Sequence, residues 1–157
     1  YEYYQKAVQR NGVPYHLITR ALPQIESEIN NILNQIVEFT IVLHTDGKNI
    51  NAQIVYDDDN HWPLELTSGM EKFISSLAIR TSLINVSNLP RPNFLAIDEG
   101  FGNLDTNNIN SIAMLFDYLK SQFDFVWCIS HIDTMRDIVD KLVEIKKVNG
   151  YSEINFT

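Results

Sequence analysis

The chain is poor in cysteine, in basic side chains and in long apolar runs, and each shortage excludes a class of protein. Only one of its 157 residues is a cysteine, Cys128, so no internal disulfide can form, and we expect an intracellular, reducing compartment, either cytoplasm or nucleus. The 12 basic and 20 acidic side chains give a net charge of −8, which argues against strong nucleic-acid binding by this piece alone. We expect neither a membrane span nor a signal peptide, because no apolar segment is long enough for a span and the start lacks the pattern of a signal.

The chain also lacks a phosphate-binding P-loop, which requires the pattern Gly-x-x-x-x-Gly-Lys-Ser/Thr. Its only Gly-Lys pair is Gly47-Lys48, which is followed by Asn49, and Val42 occupies the position of the first glycine. The pair also lies in a predicted hairpin turn rather than between a strand and a helix. The chain therefore has no phosphate cradle of its own.

What remains is typical of one globular α/β domain. The length and an apolar fraction of 45% are sufficient for a core. We predict a mostly parallel sheet flanked by helices, with peripheral β-hairpins. The expected elements are helices at 1–10 and from Pro14 onward with a kink or break at Pro23, strands at 37–43 and 50–56, an acidic loop at 57–60, a helix at 68–86, a strand at 94–98, a helix at 106–121, a strand at 125–130, a short helix at 133–139, and a terminal hairpin of 141–148 with 151–156. The strand–helix–strand order in the second half predicts a right-handed parallel crossover.

Two carboxylates and a histidine follow two of the predicted strands. The apolar run 94–97 stops at Asp98-Glu99, and the run 125–130 is followed directly by His131. The carboxyl ends of parallel strands form the edge at which ligands bind in α/β sheets. One carboxylate can hold the hydrated shell of a magnesium ion while its neighbour orients a water molecule. Taken alone, a strand ending in Asp-Glu is more often a chance occurrence than a catalytic site, and a histidine after a strand is more often structural. A third element upstream strengthens the case for a catalytic site.

A third element lies at the start of the helix predicted for residues 68–86. Ser68 and Glu71 have the spacing of a capping box, in which each side chain satisfies a free backbone N–H of the first turn. Ser68 and Gly69 could also present a hydroxyl, backbone N–H groups and the positive end of the helix dipole to a phosphate. Taken alone, the pattern favours a simple helix cap over a phosphate site.

Together, these motifs resemble the C-terminal half of an ABC-type ATPase head. The order is Ser-Gly-x-Glu-Lys-Phe at 68–73, Asp-Glu-Gly-Phe-Gly at 98–102, Gly-Asn-Leu-Asp at 102–105 and Ser-His at 130–131. The closer resemblance is to the SMC-like, SbcC-type ATPases of DNA double-strand-break repair, which tether broken DNA and work with a nuclease. Gly12-Val13-Pro14, with residues 22–26, resembles the place where the coiled coil of that family returns to the head. The resemblance covers roughly residues 11–148 and departs from the pattern at Met70, where a second glycine is usual.

The resemblance implies a single C-terminal ATPase lobe over residues 1–157. Within it, residues 1–12 would be the stub of the coiled coil, 66–86 the signature helix, 94–105 the Walker B segment and D-loop, and 125–133 the His switch. Asp98 would bind Mg²⁺, Glu99 would be the general base, and His131 would hydrogen-bond the γ-phosphate of ATP. The expected nucleotide contacts, shared across a dimer interface, are Ser68, Gly69, Met70, Glu71, Asn103 and Asp105.

The resemblance also implies the partners of the chain. These are the N-terminal P-loop half of the same protein, a second ATPase head in a homodimer, a nuclease subunit, and DNA held by the complete assembly, with no membrane. The function expected is that of an ATP-dependent repair or recombination ATPase whose C-terminal lobe is inactive on its own. Two alternatives remain: a non-catalytic docking module on an ABC-like fold, for which Glu99 and His131 would have no chemical use, and an unrelated carboxylate hydrolase, which would not explain Ser68-Gly69.

Overall fold

We describe a computed structural model of the chain, covering residues 1–9, 11–47, 49–101 and 109–156. Apart from two 3₁₀ segments, its elements are four helices and seven strands among these residues. They are α1 (Glu2–Val8), α2 (Val13–Leu33), β1 (Thr40–Thr45), β2 (Ile50–Asp57), β3 (Asn60–Pro63), α3 (Gly69–Val86), β4 (Phe94–Asp98), α4 (Ile109–Gln122), β5 (Phe125–Ile129), β6 (Val143–Val148) and β7 (Tyr151–Phe156). The 3₁₀ segments are Leu64–Leu66 and Asp133–Asp137. This mixture confirms the predicted α/β class.

The strands form three separate sheets in the described part of the chain. β1, β2 and β3 make an antiparallel meander, β4 and β5 make a parallel pair, and β6 and β7 make the predicted terminal hairpin. The parallel pairing in the described structure is limited to β4 and β5, whereas we predicted a mostly parallel sheet. The crossover from β4 through α4 to β5 is the connection that allows the two strands to run parallel.

The core lies where α2, α3 and α4 meet the inner faces of the sheets. α2 shows a helical apolar stripe whose buried members are Leu22, Ile25, Ile29, Ile32 and Leu33. These side chains join buried residues of β1, β2, α3 and α4 in one contiguous cluster. At about 25 cal/mol per Å² of buried apolar surface, this packing is the main stabilisation of the fold.

Helix α2 continues through Pro23 without the break that was one of the two predicted outcomes. Pro23 lacks the N–H that would bond to the carbonyl of Thr19, and its ring crowds that turn. The stripe of buried side chains on either side of Pro23 packs into the same core, and that packing outweighs the local cost. Among the described residues, no helix has both the length and the apolar character needed to cross a bilayer.

The acidic segment 57–60 differs from the prediction, because it is a tight turn between two strands rather than a loop. β2 runs to Asp57, and β3 begins at Asn60. Asp57 Oδ1 accepts the N–H groups of Asp59 and Asn60 at 3.0 Å each, and Asp57 Oδ2 accepts the side-chain amide of Asn60 at 2.7 Å. The side-chain bond from Asn60, followed by the bond from the Asp59 N–H, holds the pKa of Asp57 below its ordinary value. Side-chain hydrogen bonds of this kind stabilise tight turns. The four consecutive polar residues can therefore form the turn that connects β2 to a third strand, β3.

Cys128 lies half-buried in β5, and burial raises the pKa of its thiol from 9.0 to about 11. Because the thiolate is the reactive form, we expect the folded chain at pH 8 to react with a thiol reagent about 100-fold more slowly than the urea-unfolded chain. The unfolded thiol ionises at a lower pH than the folded one, so this group also lowers the stability of the fold as the pH rises from about 9 to 11. Equal rates in the two states would contradict the prediction.

Candidate nucleotide site at the strand ends

The parallel pairing of β4 with β5 brings the predicted catalytic residues to one edge of the sheet. The strands pair in register, with Phe94 opposite Phe125 and Asp98 opposite Ile129. The residues that leave the two strands, Glu99 and Ser130-His131, therefore emerge at the same carboxyl edge. The Ser130 hydroxyl accepts the N–H of Ile132 at 3.1 Å and so closes the turn that carries His131.

Glu99 and His131 contact each other directly. Nδ1 of His131 lies 3.1 Å from both carboxylate oxygens of Glu99, and both side chains are exposed. The backbone N–H of Glu99 also donates to the carbonyl of Ile129 at 2.9 Å, which ties the end of β4 to the end of β5. An exposed pair of this kind adds little to the stability of the fold. A carboxylate beside an imidazole can take a proton from water or hold one.

The backbone turn after β4 is held in an unusual conformation. Glu99 has a φ of 60° and Gly100 a φ of 99°, both in the left-handed region. A Cβ on Gly100 would lie 2.9 Å from Cε2 of Phe73, so the turn passes close to helix α3. Phe101 is fully buried against Phe73 at 4.9 Å between ring centroids and against Phe116 at 6.0 Å. These contacts fix the strand end, and with it Glu99, against α3 and α4.

The start of α3 has the predicted capping box. Ser68 Oγ accepts the N–H of Glu71 at 3.3 Å, and Glu71 Oε2 accepts the N–H of Ser68 at 2.7 Å. Gly69 and Met70 form the first turn of the helix, and the half-buried side chain of Met70 packs against the core. Met70 therefore has a place for its side chain despite standing where the family pattern has glycine.

Tyr56 is a residue of this region that the sequence-based prediction missed. Its hydroxyl, at the end of β2, donates to Glu71 Oε1, so that both carboxylate oxygens of Glu71 have a donor. Burial, then the hydrogen bond to Glu71 and the negative charge of Glu71, raises the pKa of Tyr56 to about 12. Burial alone would raise the pKa of Glu71, but the bonds from Tyr56 and Ser68 outweigh it and hold that pKa below its ordinary value. The available signal was the alternation of β2, which places Tyr56 on the face of the buried Ile54.

A groove of about 480 Å³ lies beside this turn. Its walls come from the segment after α2, from β2 and from the first turns of α3 and α4. The lining residues are Asn34, Gln35, Ile36, Val37, Glu38, Phe39, Tyr56, Met70, Glu71, Ser111 and Met114.

The remaining predicted site residues are Asp98, Asn103 and Asp105. Asp98 is the exposed last residue of β4, beside Glu99. Asn103 and Asp105 lie outside the described residues. In the described ranges no group of three or more His, Cys, Asp or Glu side chains could enclose a metal ion. One carboxylate at the sheet edge nevertheless fits Mg²⁺, which is commonly held by one or two carboxylates, water and substrate phosphates.

Comparisons with known proteins agree with this architecture. The structure superposes on a solved chain described as "Structural biochemistry of ATP-driven dimerization and DNA stimulated activation of SMC ATPases", with a TM-score of 0.73 at 17% identity over 90% of this chain and 88% of that one. The chain has the fold of an SMC ATPase head. No protein-family model matches it.

Two relatives in sequence share this head region. A protein of Acanthamoeba polyphaga mimivirus, itself uncharacterized, is 35% identical over 98% of this chain and 13% of its own length. The SbcC component of the nuclease SbcCD of Pseudomonas aeruginosa is 35% identical over 55% of this chain and 7% of its own length. The chain thus spans about an eighth or less of these relatives. The resemblance to the C-terminal half of an SMC-like, SbcC-type head is confirmed, whereas the roles of individual site residues stay predictions.

Proposed function

We propose that this chain is the C-terminal, signature-bearing half of an ATPase head that dimerises around ATP and acts with a nuclease in DNA repair or recombination. The observation that carries the proposal is the Glu99–His131 pair, 3.1 Å apart at the carboxyl edge of two parallel strands. On an SMC head fold, this is an edge at which a nucleotide phosphate can lie.

In this proposal, Glu99 is the general base and orients the water that attacks the γ-phosphate. His131 keeps the Glu99 carboxylate in place through Nδ1 and hydrogen-bonds the γ-phosphate when the nucleotide is bound. Asp98 holds Mg²⁺, which would neutralise charge on the phosphates. The turn at Gly100 and Phe101 fixes Glu99, so that the carboxylate does not have to be reoriented during each reaction cycle.

The start of α3 supplies the second half of a shared site. Ser68, Gly69, Met70 and Glu71 lie at an exposed or half-exposed helix N-terminus, where free N–H groups and the helix dipole favour an anion. We propose that this turn faces the γ-phosphate of ATP held by a second head, with Asn103 and Asp105 at the same interface. ATP binding would then close two heads, and hydrolysis would release them.

An uncovered apolar face of the β4–β5 pair supports the proposal of a second lobe. Phe94, Phe125 and Trp127 are 58%, 56% and 55% exposed, and Ile129 is also exposed on the same face. Phe125 and Trp127 pack edge to face, with ring centroids 6.0 Å apart. A contiguous apolar patch of this kind marks an interaction site. Since the sequence has no P-loop, the occupant that fits the proposed function is the N-terminal P-loop lobe of the same protein.

The remaining proposed partners are a nuclease, DNA and a coiled coil. The Pseudomonas aeruginosa relative is named as part of a nuclease, SbcCD, which supports a nuclease partner. DNA would be held by the complete assembly, because this chain carries a net charge of −8. Residues 1–12 would continue into a coiled coil, and the exposed rings of Tyr1, Tyr3 and Tyr4 on and beside α1 are consistent with a helical partner there.

Mixing the chain with its P-loop lobe tests this function, with a substitution at one tryptophan as the test variant and at another as its control. We expect the chain alone to hydrolyse little or no ATP, and the chain mixed with its P-loop lobe to hydrolyse it in a phosphate-release assay. Trp127→Ser should abolish both lobe binding and hydrolysis, because it removes the centre of the apolar face. Trp62→Ser, which changes a ring that is 52% exposed on β3, should leave both unchanged.

Two results would count against the proposal. Rapid turnover by the chain alone would indicate an independent hydrolase. Lobe binding without ATP hydrolysis would indicate the docking module instead.

A further inference from the structure

The turn proposed to face the nucleotide is bonded to the three-stranded sheet through one tyrosine. Tyr56 at the end of β2 donates to Glu71 Oε1, and Glu71 Oε2 in turn accepts the N–H of Ser68 at 2.7 Å. The ring of Tyr56 packs edge to face on the buried Phe39, with centroids 5.8 Å apart. One carboxylate thus joins β2 to the first residue of the phosphate-facing turn.

The sheet that carries Tyr56 is itself held in place by hydrogen bonds to helix α2. Asn30 of α2 bonds both backbone groups of Ile41 in β1, at 2.8 Å and 2.7 Å. Glu26 of α2 accepts the N–H of Leu43 at 2.6 Å. β1 pairs with β2 along its whole length, from Thr40 opposite Val55 to Thr45 opposite Ile50. Helix α2 therefore holds the sheet that holds Tyr56.

The position of the Glu71 carboxylate matters for an anion at the start of α3. A free carboxylate next to Ser68 would repel a phosphate and could rotate toward it. With both oxygens occupied, the carboxylate is kept on the side of β2 and is not free to turn toward an anion at the Ser68 turn. Tyr56 can do this at every physiological pH, because its pKa is raised to about 12 by burial and by Glu71.

We propose that Tyr56 is a positioning residue for the nucleotide-dependent closure of two heads, acting through Glu71 on the Ser68 turn. The proposal rests on the proposed function, since it assumes that this turn meets the ATP of a second head. Tyr56 touches no phosphate itself. It keeps the carboxylate of Glu71 on the side of β2 and maintains the conformation of the Ser68 turn.

The test uses the full-length protein with Glu99→Gln, in which hydrolysis is suppressed, and measures the ATP concentration that gives half-maximal dimer. Tyr56→Phe should raise that concentration about 3- to 10-fold, the size expected when one hydrogen bond of ordinary net strength is lost from a partly exposed side chain. ATP binding to the monomer should not change, since that nucleotide is held by the P-loop lobe. The matched control is Tyr151→Phe, which removes a tyrosine hydroxyl on the exposed strand β7 and should change neither quantity.

A double-mutant cycle tests whether Tyr56 acts through Glu71. Glu71→Ala should also weaken dimerisation, and Tyr56→Phe added to Glu71→Ala should cause no further loss. Carboxyl-carbon NMR should find the Glu71 pKa higher in Tyr56→Phe than in the parent.

The outcomes separate the two hypotheses. A parent protein that forms no ATP-dependent dimer contradicts the proposed function, and the positioning role falls with it. If the Glu99→Gln protein dimerises at the same ATP concentration with and without Tyr56→Phe, only the positioning role is contradicted. Additive losses in the double-mutant cycle would contradict the same role.

Discussion

Glu99→Gln in the complete head should lower ATP hydrolysis by about 10²- to 10⁴-fold, the range expected for loss of a general base. Glutamine keeps the shape of the side chain and can still accept a bond from His131, but it cannot take the proton of the attacking water. Because the ATP is then bound without being cleaved, the ATP-bound dimer should accumulate. Phosphate release and size-exclusion chromatography with light scattering measure the two effects.

The matched control is Glu153→Gln, which makes the same chemical change on the exposed face of β7. It should leave both hydrolysis and dimerisation at the level of the parent. Hydrolysis in Glu99→Gln within a few-fold of the parent would show that Glu99 is not the base. The Glu99–His131 contact would then be a surface ion pair without a catalytic role.

Gly100→Ala should destabilise the fold by about 2–5 kcal/mol, because two separate costs apply at this position. Gly100 has a φ of 99°, which costs an alanine about 1–2 kcal/mol. The new Cβ would also lie 2.9 Å from Cε2 of Phe73, and overpacking of this kind typically costs about 1–3 kcal/mol. Urea unfolding followed by circular dichroism measures the change.

Gly47→Ala separates the two contributions. Gly47 has a φ of 90°, but nothing lies within 4 Å of its added Cβ, so only the backbone cost of about 1–2 kcal/mol applies. The difference between the two variants reports the contact with Phe73. If they lose the same stability, the turn after β4 is not packed against α3. Gly100→Ala should also displace Glu99 and reduce hydrolysis in the complete head, whereas Gly47→Ala should not.

Local chemistry made several features predictable. The Ser68–Glu71 capping box is formed by residues three positions apart, and the structure confirms it. The apolar runs that became β4 and β5 end within a residue of the predicted positions. The terminal hairpin predicted for 141–148 with 151–156 was also correct, and Asn149-Gly150 connects its two strands. In each case a few neighbouring residues contain the whole signal.

Tertiary packing decided features that the local sequence signals did not. Pro23 disfavours a helix locally, yet α2 continues because its apolar stripe is buried. The polar residues after Tyr56 predict a loop, yet Asp57 bonds the turn and β3 returns along β2. Local propensity is weak compared with the burial of a long helix or the pairing of a strand.

The sequence by itself determined which side chains are candidates for the chemistry and which helix start is a candidate anion site, because these depend on residue type and short spacing. Only the tertiary structure decided that Glu99 meets His131, 32 positions away, and that Tyr56 meets Glu71, 15 positions away. Those contacts depend on the register of β4 with β5 and on where the sheet of β2 packs against α3. Register and packing are set by the burial of the whole core, which no short stretch of sequence contains.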